Sequence, residues 1–324
     1  VPVANKLISF PTENRKSGQS EHWKTLDGAR INESFETRGG AMHNCLTGCI
    51  VKCSNVVHDR EGKYKTSALE FETLAVLGAN CGLESWEDVA DLDRLCDDVG
   101  LDTIETGAAI AVYMDADKMK FGDAEGAKDL LQQIADGTDL GKTIGNGAVA
   151  VGKRTGHTRI PAVRGQAIPA WEPRTLKATG VTYATSSMGA DHTAGLILNP
   201  GLPEDKWASE SQLAQLINAI CDSSGFCQFV QPSVDEIRQF YTHMYGEEVT
   251  REQIADYGWK ILQDEWEFNK RAGFTAADDH LPEYMKEEGL GPQNAVFDVS
   301  PEIIAKAKER LDLGEKLFTA KPAG

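Results

Sequence analysis

Three cysteines stand at four-residue intervals early in the chain, at Cys45, Cys49 and Cys53. This spacing places the three thiols on one face of a helical turn or around a compact loop. Thiolates are soft ligands that suit iron–sulfur clusters, zinc and copper(I). The alternative is that they are small buried hydrophobic residues. We interpret the trio as a metal site, because chance rarely produces three cysteines at this spacing.

The identity of the metal depends on a fourth ligand. A cubane 4Fe–4S cluster needs four thiolates, and Cys227 is the candidate for the fourth. Zinc is the main alternative, although zinc sites more often use pairs of the form Cys-x₂₋₄-Cys. The other cysteines, Cys81, Cys96 and Cys221, lie on apolar helical faces and are predicted to be buried. A helical scaffold that is stabilised by zinc and has no redox chemistry therefore stays open.

One eight-residue pattern occurs twice, as Leu95–Asp102 and as Ile220–Cys227. Both copies read aliphatic residue, Cys, Asp, two variable residues, Gly, apolar residue, and then Asp or Cys. Each copy follows a segment with helical apolar spacing, and the Gly is typical of a helix stop. The sequence therefore predicts the same helix end twice, each with an Asp beside a tight glycine turn. Two equivalent turns indicate two equivalent ligands, or one ligand with two similar halves.

The composition sets wide bounds on the class of protein. The 324 residues, 41% of them hydrophobic, are enough for two domains. The net charge of −17, from 33 basic and 50 acidic residues, argues against a nucleic-acid binder and against attraction to anionic membranes. Seven clustered cysteines indicate a reducing compartment. With no long apolar run and no signal-peptide pattern, a soluble cytoplasmic protein is predicted. The start at Val1 leads us to expect a trimmed chain or a piece of a longer one.

Helical periodicity dominates and strand patterns are scarce, so the predicted fold class is mainly α, with two helical domains and few short strands. Residues 1–40 are polar and turn-rich and are predicted to form an extended lead-in. The predicted helices cover residues 68–78, 86–96, 105–115, 124–135, 143–155, 209–221, 233–244, 250–271 and 300–313. Residues 160–180 are rich in Pro and Gly and suggest a domain boundary. We predict one domain at 1–170 with the cysteine trio and the first repeat, and another at 171–324 with the second repeat and Cys227.

Further motifs follow in an order that resembles the tungsten- or molybdenum-dependent aldehyde:ferredoxin oxidoreductases. The first repeat runs directly into Thr103. The other motifs are LEFETL at 69–74, LGANCG at 77–82, VRGQ at 163–166, PAWEPR at 169–174, YATSSMGADH at 183–192, RAGF at 271–274 and DHLP at 279–282. The resemblance covers nearly the whole chain and corresponds to the two C-terminal helical domains of that family, domains 2 and 3.

The resemblance implies a bis-pyranopterin cofactor that carries one tungsten or molybdenum and can include Mg. Each pterin would be held by one repeat. The implied binding residues are Asp97, Gly100, Leu101 and Asp102 for one pterin, and Asp222, Gly225 and Phe226 for the other. The implied ligands of a 4Fe–4S cluster are Cys45, Cys49, Cys53 and Cys227. This cluster would pass electrons one at a time to ferredoxin.

The implied reaction is the oxidation of an aldehyde with water to a carboxylic acid. The family's positions map onto Glu72 as general base, onto His192 as the group that polarises the aldehyde oxygen or relays the proton, and onto Thr103 near the metal. The alternative for Glu72 is an exposed helix carboxylate, a role that Glu70 fits better. The other histidines are predicted to be surface or structural residues: His22, His43, His58, His157, His243 and His280.

The chain departs from the family pattern in three ways. The first gap in the cysteine trio is three residues long, where the family usually has two. The family's N-terminal domain is missing, so we expect a fragment or a site completed by a separate subunit. A Glu-x-x-His pair, which holds a bridging metal in some family dimers, does not occur in the sequence.

A catalytically silent electron-transfer subunit stays an alternative, although a pure electron carrier needs only the cysteines. The candidate basic patch for ferredoxin consists of Lys52, Arg60, Lys63 and Lys65.

Overall fold

The computed structural model describes residues 1–322, which form a mainly helical protein, with 51% of residues in helices and 7% in strands. The predicted fold class is therefore confirmed. The chain forms two compact units. The first comprises Val1–Thr175 together with Pro282–Val296, and the second comprises Leu176–Leu281 together with the residues from Phe297 onward. The predicted division after residue 170 stays a prediction.

Fourteen α-helices are found within residues 1–322. They are α1 (Pro2–Lys6), α2 (Gly28–Arg38), α3 (Trp86–Val99), α4 (Thr103–Asp115), α5 (Ala124–Ala135), α6 (Asp139–Gly145), α7 (Gly147–Thr155), α8 (Lys177–Thr185), α9 (Glu204–Ser223), α10 (Val234–Tyr245), α11 (Arg251–Arg271), α12 (Tyr284–Glu287), α13 (Pro301–Ala307) and α14 (Lys316–Thr319). A π-helical segment covers Thr73–Gly78, and 3₁₀ turns cover Ala79–Cys81, Gln228–Val230 and Ala276–Asp278. None of the helices in this part of the chain is both long enough and apolar enough to cross a bilayer.

Two small antiparallel sheets belong to the first unit. The strands are β1 (Gly40–His43), β2 (Ser54–His58), β3 (Tyr64–Ser67), β4 (Ala162–Val163) and β5 (Gln166–Ala167). The larger sheet has the order β1-β2-β3, and its register pairs His43 with Ser54. This pairing closes residues 44–53 into the loop of a hairpin. The strands have two to five residues, which is too short for an alternating apolar pattern to stand out in the sequence.

Helices α3 and α4 position the first repeat. Ser85 caps the start of α3, because its hydroxyl accepts a hydrogen bond from the Glu87 N–H at 3.1 Å. Its buried face carries Trp86, Val89, Leu92 and other residues at helical spacing. α4 follows after three residues and is buried on nearly all sides, so it forms a central element of the first unit.

The second unit has a core between α9, α10 and α11. Leu213, Leu216 and Ile220 of α9 pack with Ile254 and Trp259 of α11 in one apolar cluster. Capping boxes, in which a hydroxyl and a side chain three residues later each bond the other residue's N–H, begin α10 and α11. The packing of α9 against α10 and α11 holds the second repeat, which lies at the C-terminal end of α9.

Several elements differ from the predictions. Residues 1–40 contain α1 and α2 and are not an extended lead-in. The segment predicted as a helix over 68–78 is largely π-helical, and the predicted helix over 143–155 is divided into α6 and α7. At this division the Asn146 side chain donates to the Lys142 carbonyl at 2.6 Å, which competes with continuation of the helix. α8 begins inside the passage predicted as a boundary and extends beyond it, and α13 ends at Ala307.

Candidate functional site

The cysteine trio lies on the loop between β1 and β2, which is the compact-loop alternative of the two arrangements that the spacing allows. Cys45 is exposed, Cys49 and Cys53 are half-buried, and none of the three forms a disulfide within residues 1–322. The Cys49 N–H donates to the Leu46 carbonyl at 3.0 Å and forms a turn. Leu46 and Ile50 are 70% and 92% exposed, so the loop presents thiols and apolar side chains together.

The donor type of this loop fits a thiolate-bound metal group, although the loop is not arranged as a finished site. Among residues 1–322, no three Cys, His, Asp or Glu side chains converge in a geometry that holds a metal ion. The trio nevertheless offers three sulfurs within one hairpin loop, and these are the ligands that iron–sulfur clusters use. Binding would therefore require the loop to draw its thiols together.

Of the four other cysteines, Cys227 is exposed, and the remaining three are buried, which confirms their prediction as small hydrophobic residues. Cys81, Cys96 and Cys221 each have 0% exposure. Burial raises the pKa of Cys96 to about 12 and that of Cys221 to about 11, and it also raises the pKa of Cys81. A metal ligand must be a thiolate, so these groups are poorly suited to bind one.

The two copies of the repeat form the same helix end, as the sequence predicts. In the first copy, the N–H of Leu101 donates to the carbonyl of Cys96 at 2.9 Å. In the second, the N–H of Phe226 donates to the carbonyl of Cys221 at 3.1 Å. This bond over five residues is the signature of a helix that closes on a left-handed glycine. The repeat in the sequence is therefore also a repeat in backbone structure.

Each repeat leaves open space beside its glycine. Gly100 and Gly225 have φ of +78° and +75°, which residues with a Cβ rarely adopt. An added Cβ at either position would meet no atom within 4 Å in the described part of the chain. Asp97 and Asp222, three residues earlier, are exposed. Each turn can therefore offer a carboxylate and an approachable backbone to a flat ligand with N–H donors.

The last residue of the first repeat also has a structural role. One oxygen of Asp102 accepts a hydrogen bond from the Glu105 N–H at 2.6 Å and caps α4. A carboxylate has about four acceptor positions, so the cap uses only part of its capacity. Asp102 is exposed, in keeping with its position at the surface end of the helix.

In the second unit, hydrogen bonds connect the second repeat with the turn that carries His192. The Gln228 amide donates to the Asp222 carboxylate at 3.2 Å and to the Thr193 carbonyl at 3.0 Å. The Asn218 amide donates to the same carbonyl at 2.7 Å. The structure therefore brings the backbone beside His192 next to Asp222.

The surroundings of Asp222 suit a ligand that donates hydrogen bonds. Burial raises the pKa of Asp222, the Gln228 amide opposes this, and the charge of Asp191 adds to the increase. Asn218, one turn earlier and 2% exposed, has a buried Oδ1 with no hydrogen-bond partner among residues 1–322. A buried acceptor without a hydrogen-bond partner lowers the stability of the folded protein by about 1–3 kcal/mol. The aminopyrimidine edge of a pterin carries N–H groups, so the exposed Asp222 carboxylate, as an acceptor, fits the implied cofactor.

In the first unit, Glu72 and Thr103 lie at neighbouring positions. Glu72 is half-buried immediately before the π-helical segment, and one of its oxygens accepts the Ala170 N–H at 2.7 Å. The next residue, Thr73, shares a hydrogen bond with Thr103 between the two hydroxyls at 2.9 Å. Single π-helical turns are frequent at functional sites. Glu70, in contrast, is exposed.

A cavity of about 380 Å³ in the first unit extends from the cysteine loop towards this region. Cys53, Glu70 and Phe71 are among its lining residues. Glu70 is exposed as a whole residue, but partial desolvation of its carboxyl raises its pKa, while the hydroxyl of Ser54 and the nearby His43 lower it. The cavity therefore joins one thiol of the trio to the segment that carries Glu72.

The hydrogen bond that Glu72 accepts could not be predicted from the side-chain motifs of the sequence. The partner of Glu72 is the backbone N–H of Ala170, which no side-chain pattern signals.

The candidate basic patch is partly neutralised, because Arg60 pairs with Glu87 at 2.7 Å and Lys65 pairs with Asp91 at 2.5 Å. The patch is therefore a weaker attraction for an acidic partner than the sequence suggests.

Asp93 gives a test of how α3 is stabilised near the first repeat. It is 3% exposed and accepts a hydrogen bond from the Thr66 hydroxyl at 2.6 Å. Burial raises the pKa of Asp93 from 3.8 to about 6, although the hydrogen bond from Thr66 acts to lower it. Because the folded protein then holds this proton more tightly than the unfolded chain, stability is lost as the pH rises from about 4 through 6.

We expect Asp93→Asn to increase the free energy of unfolding at pH 7, by at most about 3 kcal/mol, and not at pH 4. Urea unfolding between pH 4 and 8 measures this difference. Asp98→Asn, at an exposed position of the same helix, is the control and should show little pH-dependent gain. An equal effect of Asp93→Asn at all pH values would contradict the prediction.

The described residues thus present a loop with three thiols, two matching glycine turns beside carboxylates, and a half-buried glutamate at a π-helical segment. The sequence matches the family described as aldehyde ferredoxin oxidoreductase, domains 2 and 3, over residues 1–310. The chain therefore belongs to this family.

Curated relatives share about a quarter of their residues with the chain. The tungsten-containing aldehyde ferredoxin oxidoreductases of Thermococcus kodakarensis and Pyrococcus furiosus are each 26% identical to it, over 319 and 322 residues. These matches cover 90% of this chain and 52% of each relative, so the chain spans about half the length of these relatives. The aliphatic sulfonate oxidoreductase, WOR-like subunit, of Pyrococcus furiosus is 26% identical over 300 residues, covering 81% of this chain and 46% of that protein.

Proposed function

We propose that the chain forms the cluster- and pterin-binding part of an oxidoreductase that converts an aldehyde and water into a carboxylic acid, with ferredoxin as electron acceptor. The observation that carries this proposal is the pair of matching helix ends, each with an accessible carboxylate beside a left-handed glycine, in a chain of this family. A cofactor with two similar halves is the ligand that such a pair suits.

The proposed cofactor is a tungsten- or molybdenum-bis-pyranopterin, which supplies the two-electron oxidation when it is bound. Asp97 and Asp222 would accept hydrogen bonds from pterin N–H groups, which fixes the orientation of each half. The remaining proposed contacts are Gly100, Leu101, Asp102, Gly225 and Phe226. The proposed thiolate ligands of a 4Fe–4S cluster are Cys45, Cys49, Cys53 and Cys227.

Three side chains have proposed roles around the substrate. Glu72 acts as a general base, and its bond from the Ala170 N–H holds the carboxylate in one orientation. Thr103 shares a hydrogen bond with Thr73, the residue after Glu72, and its proposed position is near the metal. His192 donates to the aldehyde oxygen or relays a proton, because an imidazole ring carries both a donor and an acceptor nitrogen.

One relative favours a second candidate. The Pyrococcus furiosus sulfonate enzyme is named as a subunit, and its match covers 81% of this chain. In this candidate, the chain works with a separate polypeptide and acts on a different class of substrate. A silent electron-transfer subunit and a zinc-stabilised scaffold are the outcomes that remain if no heavy metal is bound.

Metal analysis of protein purified without oxygen tests the proposal. About four irons and one tungsten or molybdenum per chain would support it. Iron without a heavy metal would replace it with an electron-transfer role, and zinc without iron would replace it with a scaffold. Absorption near about 400 nm separates these last two, because zinc thiolates are colourless and iron–sulfur clusters are brown. Comparing aldehydes with aliphatic sulfonates as substrates then separates the two candidates.

A further inference from the structure

Residues 13–15 form a strained segment in the first unit. Glu13, Asn14 and Arg15 have successive φ values of +49°, +50° and +62°, a region that residues other than glycine avoid. Their N–H groups donate in turn to the Ala79 carbonyl, the Asn80 carbonyl and the Asn80 side chain, at 3.1, 2.9 and 3.1 Å. Such strain costs about 1–3 kcal/mol per residue and persists only where the surroundings enforce it. The segment holds the side chain of Arg15 in the interior.

The Arg15 residue is 1% exposed, and both terminal nitrogens of its guanidinium donate hydrogen bonds. It pairs with Glu172 at 3.2 Å, and its Nη2 donates to the Ile168 carbonyl at 2.6 Å and to the Pro169 carbonyl. Burial raises the pKa of Glu172, but the charges of Arg174 and Arg15 outweigh this and hold the pKa at about 2. The Glu172 carboxylate is therefore ionised at neutral pH and pairs with the Arg15 guanidinium.

The Pro169 carbonyl and the Ala170 N–H are the two ends of one peptide group. Arg15 holds the oxygen end, and Glu72 accepts the N–H end at 2.7 Å. A peptide group is planar, so fixing its oxygen also fixes the direction of its N–H. A cation at the oxygen also polarises the group and strengthens the N–H as a donor.

We propose that Arg15 is a positioning residue for Glu72, acting through the peptide group between Pro169 and Ala170. The guanidinium sets the direction and the donor strength of the N–H that orients the Glu72 carboxylate. The consequence for turnover rests on the proposed function of Glu72 as general base. The positioning itself is a property of the chain and can be measured without the cofactor.

The test is the NMR signal of the Ala170 amide in the full chain labelled with 15N-alanine. An N–H bonded to a carboxylate shifts downfield, and Glu72→Gln defines the position without that charge. We expect Arg15→Lys, which keeps the charge but loses the forked donor, to remove about half or more of this displacement at pH 7. Arg38→Lys is the matched control, because Arg38 pairs with Glu87 in the same unit at 2.6 Å. It should leave the Ala170 signal unchanged.

A second variant covers the case in which Arg15→Lys does not fold. Arg15→Gln leaves Glu172 and Arg174 as a neutral buried pair, 2.8 Å apart, and should give the same loss of displacement. An Ala170 signal that is the same in wild type and in folded Arg15 variants would overturn the inference. If the signal responds as expected but Glu72→Gln keeps full turnover in the loaded enzyme, the positioning stands and the proposed role of Glu72 fails.

Discussion

Replacing Glu72 with glutamine is expected to lower aldehyde turnover in the metal-loaded enzyme by about 100-fold or more. The Gln side chain has nearly the same shape, and its oxygen can still accept the Ala170 N–H bond that Glu72 accepts at 2.7 Å. An amide cannot take up a proton as a carboxylate does, so the variant removes the base and keeps the geometry. Steady-state kinetics, with iron and heavy metal counted in the same sample, measure the effect.

Glu70→Gln is the matched control for this experiment. Glu70 is two residues earlier and exposed, so its neutralisation should leave turnover within about twofold of wild type. The two variants change the net charge of the protein equally. A turnover of Glu72→Gln within the same range as the control, at equal metal content, would show that the proton goes to another group.

Replacing Cys227 with serine is expected to remove nearly all of the bound iron. A neutral hydroxyl is a far poorer iron ligand than a thiolate, and a cubane cluster with three sulfur ligands is easily lost. Iron per chain and absorption near about 400 nm, after reconstitution without oxygen, measure the loss. The same result is expected for serine at Cys45, Cys49 or Cys53.

The control for this second experiment lies in the same repeat. Cys221 is fully buried, and burial raises its pKa to about 11, so Cys221→Ser should keep the iron. Iron that stays in Cys227→Ser and leaves with Cys221→Ser would reverse the assignment of these two cysteines. Iron that stays in both would move the fourth ligand elsewhere in the chain.

The helices that the sequence predicts best are those with an amphipathic stripe and a clear start signal. α3, with its Ser85 cap, and α5, at Ala124–Ala135, were identifiable from spacing alone. α8 was not, because all nine of its residues but Lys177 are buried and it carries no polar face to set a period. The strands were too short to establish an alternating pattern.

The candidate site was predictable where chemistry follows from residue type and local spacing. The helix end shared by the two repeats depends on a glycine and on bonds within five residues, and a local pattern encodes it. The bond between Glu72 and Ala170 joins residues 98 positions apart through a backbone N–H, and only the fold brings them together. The same holds for Arg15 and Glu172, which lie 157 positions apart.

The first unit includes a segment from far along the chain, Pro282–Val296, in addition to Val1–Thr175. Met285 and Leu290 of this segment have 0% exposure, and the ring of Tyr284 lies against the guanidinium groups of Arg159 and Arg174. A ribosome must therefore synthesise the chain through residue 296 before the first unit can close its core. Until that segment has been synthesised, the first unit stays incompletely folded, and it exposes apolar surface to which chaperones can bind.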